Sequence, residues 1–206
     1  MTNNPVTAPF LGGKLCVDFA NAAIFPASPA ADQLSWEELI LFLEAASIVT
    51  AERRGHLLEL TRMDPQSANE LLGQANRLRA SLRRSFGAVV SGKHIASEWV
   101  EPINAVLRIT EGHDELAWDG KTWRIAFVAR EESLVWLLAA VARSAAELLA
   151  EGNASPLRHC ANPQCHLFFY DDSRTRQRRW CSMALCGNRN KVASFARRHH
   201  PDRRKN

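Results

Sequence analysis

Four cysteines set the tightest constraint on this chain. They stand as Cys160-x4-Cys165 and Cys181-x4-Cys186, two pairs of equal internal spacing with fifteen residues between them. Each pair can fold as a tight loop that turns both sulfurs to one side. Four such thiolates close a tetrahedral shell around one zinc ion. Asn162-Pro163 supplies turn chemistry inside the first loop. Two disulfides are the alternative. The N-terminus MTNNPVTAPF has no basic stretch leading into an apolar run, so no secretion signal is expected. The expected compartment is the cytoplasm, where thiols stay reduced and paired cysteines favour metal. No uncharged apolar run reaches ~18 residues, so no membrane span is expected.

The segment around these cysteines also needs a staple. It offers a small core (Leu157, Leu167, Phe168, Phe169, Trp180, Val192 and Phe195), and domains of this size usually need metal or cross-links. One structural Zn2+ would supply on the order of 10 kcal/mol of apparent binding free energy. Its removal is expected to unfold this segment and leave the rest of the chain intact. His159 and His166 adjoin the cysteines and are the alternative ligands for one position. Cys16 lies in an apolar stretch and reads as a buried thiol.

Charge divides the chain at the same place. Residues 157–206 hold 12 Lys+Arg and 3 Asp+Glu, a balance of +9, while residues 1–156 hold 14 and 19, a balance of −5. An acidic body with a basic end points to a polyanion partner for the end alone. The expected division is a helical sensor domain over 1–152 and a zinc finger over 157–206, with Asn153 to Leu157 as linker.

The class expected is mainly α: a helical N-terminal domain with one small β-hairpin, then a treble-clef or zinc-ribbon-like finger ending in a helix. Pattern cannot separate strand from helix over residues 13–23. Ser35 and Glu38 form a capping box ahead of a helix over Trp36 to Val49. Thr50 caps a second helix through about Leu60, and Asp64-Pro65 starts a third that ends near Gly92. That third helix carries Leu71, Leu72, Ala75, Leu78, Leu82, Phe86 and Val89 at helical spacing. Ser97 caps a short helix through Leu107 that contains Pro102. Asp119-Gly120 between alternating segments marks a hairpin. Glu131 to Glu151 reads as a long amphipathic helix stopped by Gly152.

In the basic segment, Phe168 to Tyr170 reads as a strand and Cys186 as the ligand at a helix start. On that helix Val192, Phe195, Ala196 and His199 share a face that would pack on the finger's hairpin. Gly187 would let backbone N–H groups approach the Cys186 thiolate, and Asn188 would satisfy N–H groups of the first turn. Arg189 borders the apolar face and is expected to bind Asp171 or Asp172. These three form a structural motif. The opposite face carries Asn190, Lys191, Arg197 and Arg198. With Arg174, Arg176, Arg178 and Arg179 these are the candidate DNA contacts, and the tail Arg203-Arg204-Lys205 adds phosphate contacts.

These residues resemble the CGNR zinc-finger family of bacterial proteins. The likeness rests on Cys160, Cys165, Phe168 through Asp171, Ser173, Arg179, Cys181-Ser182, and Cys186-Gly187-Asn188-Arg189 with Lys191. The N-terminal part is similar to the domain that accompanies this finger, described as a stress-induced transcription regulator. Its opening motif stands here as Gly12-Gly13 and Val17-Asp18-Phe19-Ala20-Asn21, with Ala22 where threonine is usual. The resemblance implies a DNA-binding regulator. Asp18 and Asn21 are the polar pair of this early segment. Either they line a pocket for an unknown small-molecule effector, or they fix a local turn. A single finger covers little DNA surface, which favours a homodimer. The alternative function is a zinc-dependent protein-interaction module. No nucleophile–base motif, phosphate-cradling loop or open three-ligand zinc site is present, so an enzyme is not expected.

Overall fold

The computed structural model describes residues 10–22, 33–109, 112–118, 120–129 and 133–199; the side chains at 113, 126, 127, 129, 153, 193, 194 and 196–199 lie outside that description. The ambiguous early stretch is helix α1 (Leu15–Asn21). Helix α2 (Trp36–Ala45) starts at the expected capping box: Ser35 Oγ accepts from Glu38 N–H at 3.2 Å, and the Glu38 carboxylate accepts from Ser35 N–H at 2.8 Å. Thr50 caps α3 (Ala51–Met63), and Asp64 caps α4 (Pro65–Val90), whose first residue is the proline. Gly92, at φ +63°, turns the chain after α4. Pro102 lies inside α5 (Ser97–Ile109) without breaking it; Ile103 and Val106 are buried.

Helix α4 is the spine. Its stripe Leu71, Ala75, Leu78, Leu82 and Phe86 is fully buried, and α1, α2, α3 and α5 all pack against it. The expected helix over 131–151 divides. One 3-10 turn, Leu134–Leu138, is capped by Ser133 and leads into α6 (Ala139–Ala150). Gly152, at φ +59°, ends it.

Strands β1 (Gly112–Trp118) and β2 (Trp123–Ala129) form the expected antiparallel hairpin, with Trp118 opposite Trp123. The connection is therefore four residues long, and Asp119 lies outside the described residues. Leu116, Trp118, Trp123 and Ile125 fall on one face by register and stay exposed.

The basic segment opens with a strand whose first residue, Leu157, is the last of the expected linker. Leu157–His159 (β3) pairs antiparallel with Phe168–Tyr170 (β4), so the first cysteine pair sits in the turn of a hairpin. A turn of π-helix, Met183–Gly187, then runs into α7 (Asn188–His199). The expected apolar face of α7 does not pack on this hairpin: Val192 is 70% and Phe195 57% exposed. The hairpin has spent its apolar faces elsewhere. Phe169 is buried with Leu167 and the four cysteines, while Leu157 and Phe168 are buried in the main helical core. Alternation along a strand sends neighbouring phenylalanines to two different cores.

The seam between helices and finger is polar as well as apolar. Asn21 is buried, its Nδ2 donates to the Phe168 carbonyl at 2.8 Å, and its Oδ1 accepts from Phe168 N–H at 3.0 Å. The next outward-facing N–H on the same strand edge, that of Tyr170, donates to the Gly12 carbonyl at 2.7 Å. An exposed strand edge is thus covered by a backbone carbonyl and an amide side chain. The double-glycine motif makes this fit. A Cβ on Gly12 would stand 2.8 Å from Asp18 N, and Gly13 adopts φ +76°. Arg83 of α4 adds a clamp: one guanidinium nitrogen donates to Ala20 O at 3.1 Å, another to His166 O at 3.3 Å. Phe86 meets Phe168 edge-on, with ring centroids 5.8 Å apart.

Asn21 therefore spends its amide not on a local turn but on joining two segments 147 residues apart. Replacing Asn21 by alanine leaves two buried backbone groups of Phe168 without partners. The expected cost is about 2–4 kcal/mol, measured by chemical denaturation, with zinc retained in the folded fraction. A loss below ~0.5 kcal/mol would show that water or relaxation replaces the pair.

Candidate metal centre and nucleic-acid interface

The four cysteines named from spacing meet in one place. Cys160, Cys165, Cys181 and Cys186 are all buried, and their sulfurs lie within 4.8 Å of one another. Sγ of Cys165 and Cys181 are 3.8 Å apart, those of Cys181 and Cys186 3.6 Å. A tetrahedron with zinc–sulfur bonds of about 2.3 Å has sulfur–sulfur edges of about 3.8 Å. The donor set and its spacing therefore fit one structural zinc, with all four positions closed by protein. His159 and His166 are not members of this cluster.

The protonation chemistry agrees. Hydrogen bonds from Cys165 and Cys181 pull the Cys160 thiol well below its usual range. The same contact with Cys160 pushes Cys165 up to about 12, and Cys181 is pushed up further by Cys160 and Cys165. A divalent ion held by these sulfurs would ionise all four.

The surroundings support negative charge on sulfur. Cys181 N–H points to Cys160 Sγ at 3.5 Å, and Asn162 Nδ2 to Cys186 Sγ at 3.5 Å. Asn162 also shapes the first loop: its Oδ1 accepts from Gln164 N–H and its carbonyl from Cys165 N–H. It is thus both the turn residue expected from the sequence and a sulfur partner. These outer donors orient the ligands and spread their charge.

Several roles expected around the fourth ligand move to other residues. The helical segment begins at Met183, a turn before Asn188. Its cap is Ser182, whose hydroxyl accepts from Leu185 N–H at 3.3 Å, while Cys186 N–H bonds Ser182 O at 2.9 Å. Asn188 is exposed and caps nothing. Gly187 does not bring its N–H to the thiolate; it donates to Ser182 O at 3.1 Å. A Cβ there would press on the Met183 thioether and stand 3.2 Å from Trp180 Cδ1, so both side chains would have to give way.

Arg189 is exposed and does not reach Asp171. The partner of Asp171 is Arg158, at 3.2 Å, from β3. Asp171 is completely buried and accepts from Ser173 N–H and Oγ and from Arg178 N–H. Burial alone would raise its pKa. The Ser173 and Arg178 hydrogen bonds and the Arg158 charge outweigh that and hold it below the usual range. The second guanidinium arm of Arg158 reaches Arg176 O, so Arg158 and Asp171 fix the turn carrying the basic run.

Within that run the arginines differ. Arg178 turns inward: Nε donates to Trp180 O at 2.9 Å, NH2 to Cys181 O, and the group stacks 4.7 Å from the Phe169 ring centroid. It holds the finger and is not a free phosphate contact. Arg174, Arg176 and Arg179 are exposed, the last beside the Trp180 ring, and Lys191 is exposed on α7. Asn190 is half-buried and already engaged. The side chains of Arg197 and Arg198, and all of the tail from 200 onward, lie outside the described residues.

Asp18, the other half of the expected pocket pair, accepts from Gly12 N–H at 2.7 Å. Burial pushes its pKa up to about 6 against the lowering effect of that bond. It locks the glycine turn that holds Tyr170.

Comparison with known proteins agrees with this anatomy. Residues 157–199 match the family described as "CGNR zinc finger", and residues 13–152 match the one described as "Putative stress-induced transcription regulator". The chain belongs to this regulator family and carries its zinc finger at the C-terminal end. No curated protein matches it.

The shared core changes what zinc loss should do. Cys160→Ser is expected to release zinc and lower the melting midpoint of the entire chain in one transition, because Leu157 and Phe168 belong to the helical core. Zinc assay and calorimetry test this; survival of an undisturbed helical transition would show two independent units. Asp18 gives a pH signature. Its folded pKa is raised, so the native state binds the extra proton, and stability falls as pH rises from about 4 to about 6. Asp18→Asn removes that dependence. The variant should gain on the parent through this window, by on the order of 2 kcal/mol at the top, in urea titrations at several pH values.

Proposed function

We propose that the chain regulates transcription by binding DNA through its finger, with the helical domain tuning that binding. One observation carries the reading. A metal-centred module holds Arg174, Arg176, Arg179 and Lys191 on its surface, and none of these has a carboxylate partner among the described residues. Such a patch on an otherwise acidic chain favours polyanions, and a rigid backbone fixes its register against phosphates. Arg197 and Arg198 extend it in sequence. Homodimerisation would double a small footprint. The role is non-enzymatic, since four cysteines leave no open metal position for a reacting water. Reduced thiols suit the cytoplasm. Among the described residues no helix is long and apolar enough to cross a membrane.

A second reading has its own support. Val192 and Phe195 leave an apolar strip on α7, which suits a protein partner.

Salt separates the two. Binding to duplex DNA, followed by fluorescence anisotropy, should weaken steeply with salt. Arg174→Glu/Arg176→Glu/Lys191→Glu should retain zinc and the melting midpoint yet lose most DNA affinity. Each phosphate contact removed should lower the salt slope by roughly 1. Unchanged affinity in the triple variant would overturn the DNA reading. Loss of a captured partner on Val192→Ser/Phe195→Ser, with DNA binding absent in the parent, would establish the protein-docking one.

A further inference from the structure

The helical domain carries a second concentration of positive charge, on α4. An open groove of about 700 Å³ runs along this helix. That volume lies in the range of small-molecule sites. Gly73, Arg77, Ala80 and Arg84 recur at helical spacing along it, and Arg83 joins them at one side. The two small residues keep the floor low between the arginines. Asn76 fixes the wall: its Oδ1 accepts from Leu34 N–H at 2.7 Å and its Nδ2 donates to Leu34 O at 3.1 Å.

Two of the three arginines in this groove stand without a partner among the described residues. Arg77 and Arg84 have no ion pair or hydrogen bond among the described residues, and no described residue lining the groove is acidic. This is notable in a domain that is acidic as a whole. Guanidinium groups around a concavity repel one another until an anion enters, and their forks suit carboxylate or phosphate oxygens. Arg83 connects the groove to the finger seat. It lines the groove, donates to Ala20 O and His166 O, and stands 5.5 Å from the Phe168 ring centroid.

We propose that this groove binds a small organic polyanion bearing carboxylate or phosphate groups, and that Arg83 transmits its occupancy to the finger. An anion in the groove attracts the Arg83 guanidinium and competes with the two carbonyls that it clamps. The consequence for DNA rests on the regulator reading; the anion site does not.

The test uses full-length, zinc-loaded protein. Calorimetric titration with pyrophosphate and with citrate, at low salt, should show saturable binding of at least one. Arg77→Ala/Arg84→Ala should weaken it by about tenfold or more. The anion should raise the melting midpoint of the parent and not that of the double variant. Undiminished binding in the double variant, or no saturable binding of either probe, overturns the site. With no small anion present, the double variant should bind duplex DNA as the parent does. A loss there would make the groove a strip of the DNA interface and would also overturn the proposal. The coupling is read by the rate of zinc release to a chelator, which needs no DNA. The anion should change that rate in the parent. Arg83→Lys keeps the charge but cannot span both carbonyls, so it should bind the anion and lose the effect on zinc release. Equal rates with and without anion in the parent would overturn the coupling.

Discussion

The pairing of Asn21 with the backbone of Phe168 is the constraint on which the rest of the arrangement depends. A primary amide presents a donor and an acceptor side by side, so it can replace one residue of a neighbouring strand. Asn21 does this for an edge of β4 that would otherwise be unpaired beside a buried phenylalanine. Unpaired backbone groups there would cost more than the net value of the bonds themselves. The amide thus decides where the hairpin sits, and Phe168 and Leu157 then close the helical core from that side. The glycine turn and Asp18 serve the same edge one residue pair further along, by presenting the Gly12 carbonyl to Tyr170.

Zinc and the helical core divide the work of stabilising a segment too small to fold by burial alone. One face of β4 gives Phe169 to the sulfur-lined core, and the other gives Phe168 to the helices. Neither core is complete without the hairpin. The metal fixes the two knuckles, while α1 and α4 fix the strand between them. This explains why the finger's own helix can leave Val192 and Phe195 in water: the interior that they were expected to fill is already occupied by Leu167, Phe169 and Trp180.

Local signals were legible in the sequence because local physics decides them. The Ser35 capping box, the Thr50 and Asp64 caps, the α4 stripe and the cysteine spacing depend on neighbours within a few turns, and each stands where the pattern put it. The failures are all long-range or very short. β3 is three residues long, too few for a period to show. The partner of Asp171 was sought in the helix and is Arg158, a residue of that unseen strand. Arg178 and Arg179 are adjacent and chemically identical, yet one is stacked on Phe169 and the other is exposed beside Trp180. Alternation in an extended segment sorts such neighbours, but sequence does not tell which parity faces inward. The pairing of Asn21 with Phe168 has no local signal.

A finger seated in this way cannot be governed by the swing of a separate domain, because swinging it would expose Leu157 and Phe168 together. The polar part of the seam includes one amide pair, one backbone bond, the Tyr170 hydroxyl on the Glu151 carboxylate and the Arg83 contact with His166 O. The Arg83 contacts are among those open to exchange. Guanidinium–carbonyl bonds at a half-exposed position give way to a better acceptor at little net cost, whereas the Asn21 pair has no competitor inside the core. One direct physical route from the helical domain to the metal module therefore runs through α4 and Arg83 to His166, the residue directly after the ligand Cys165.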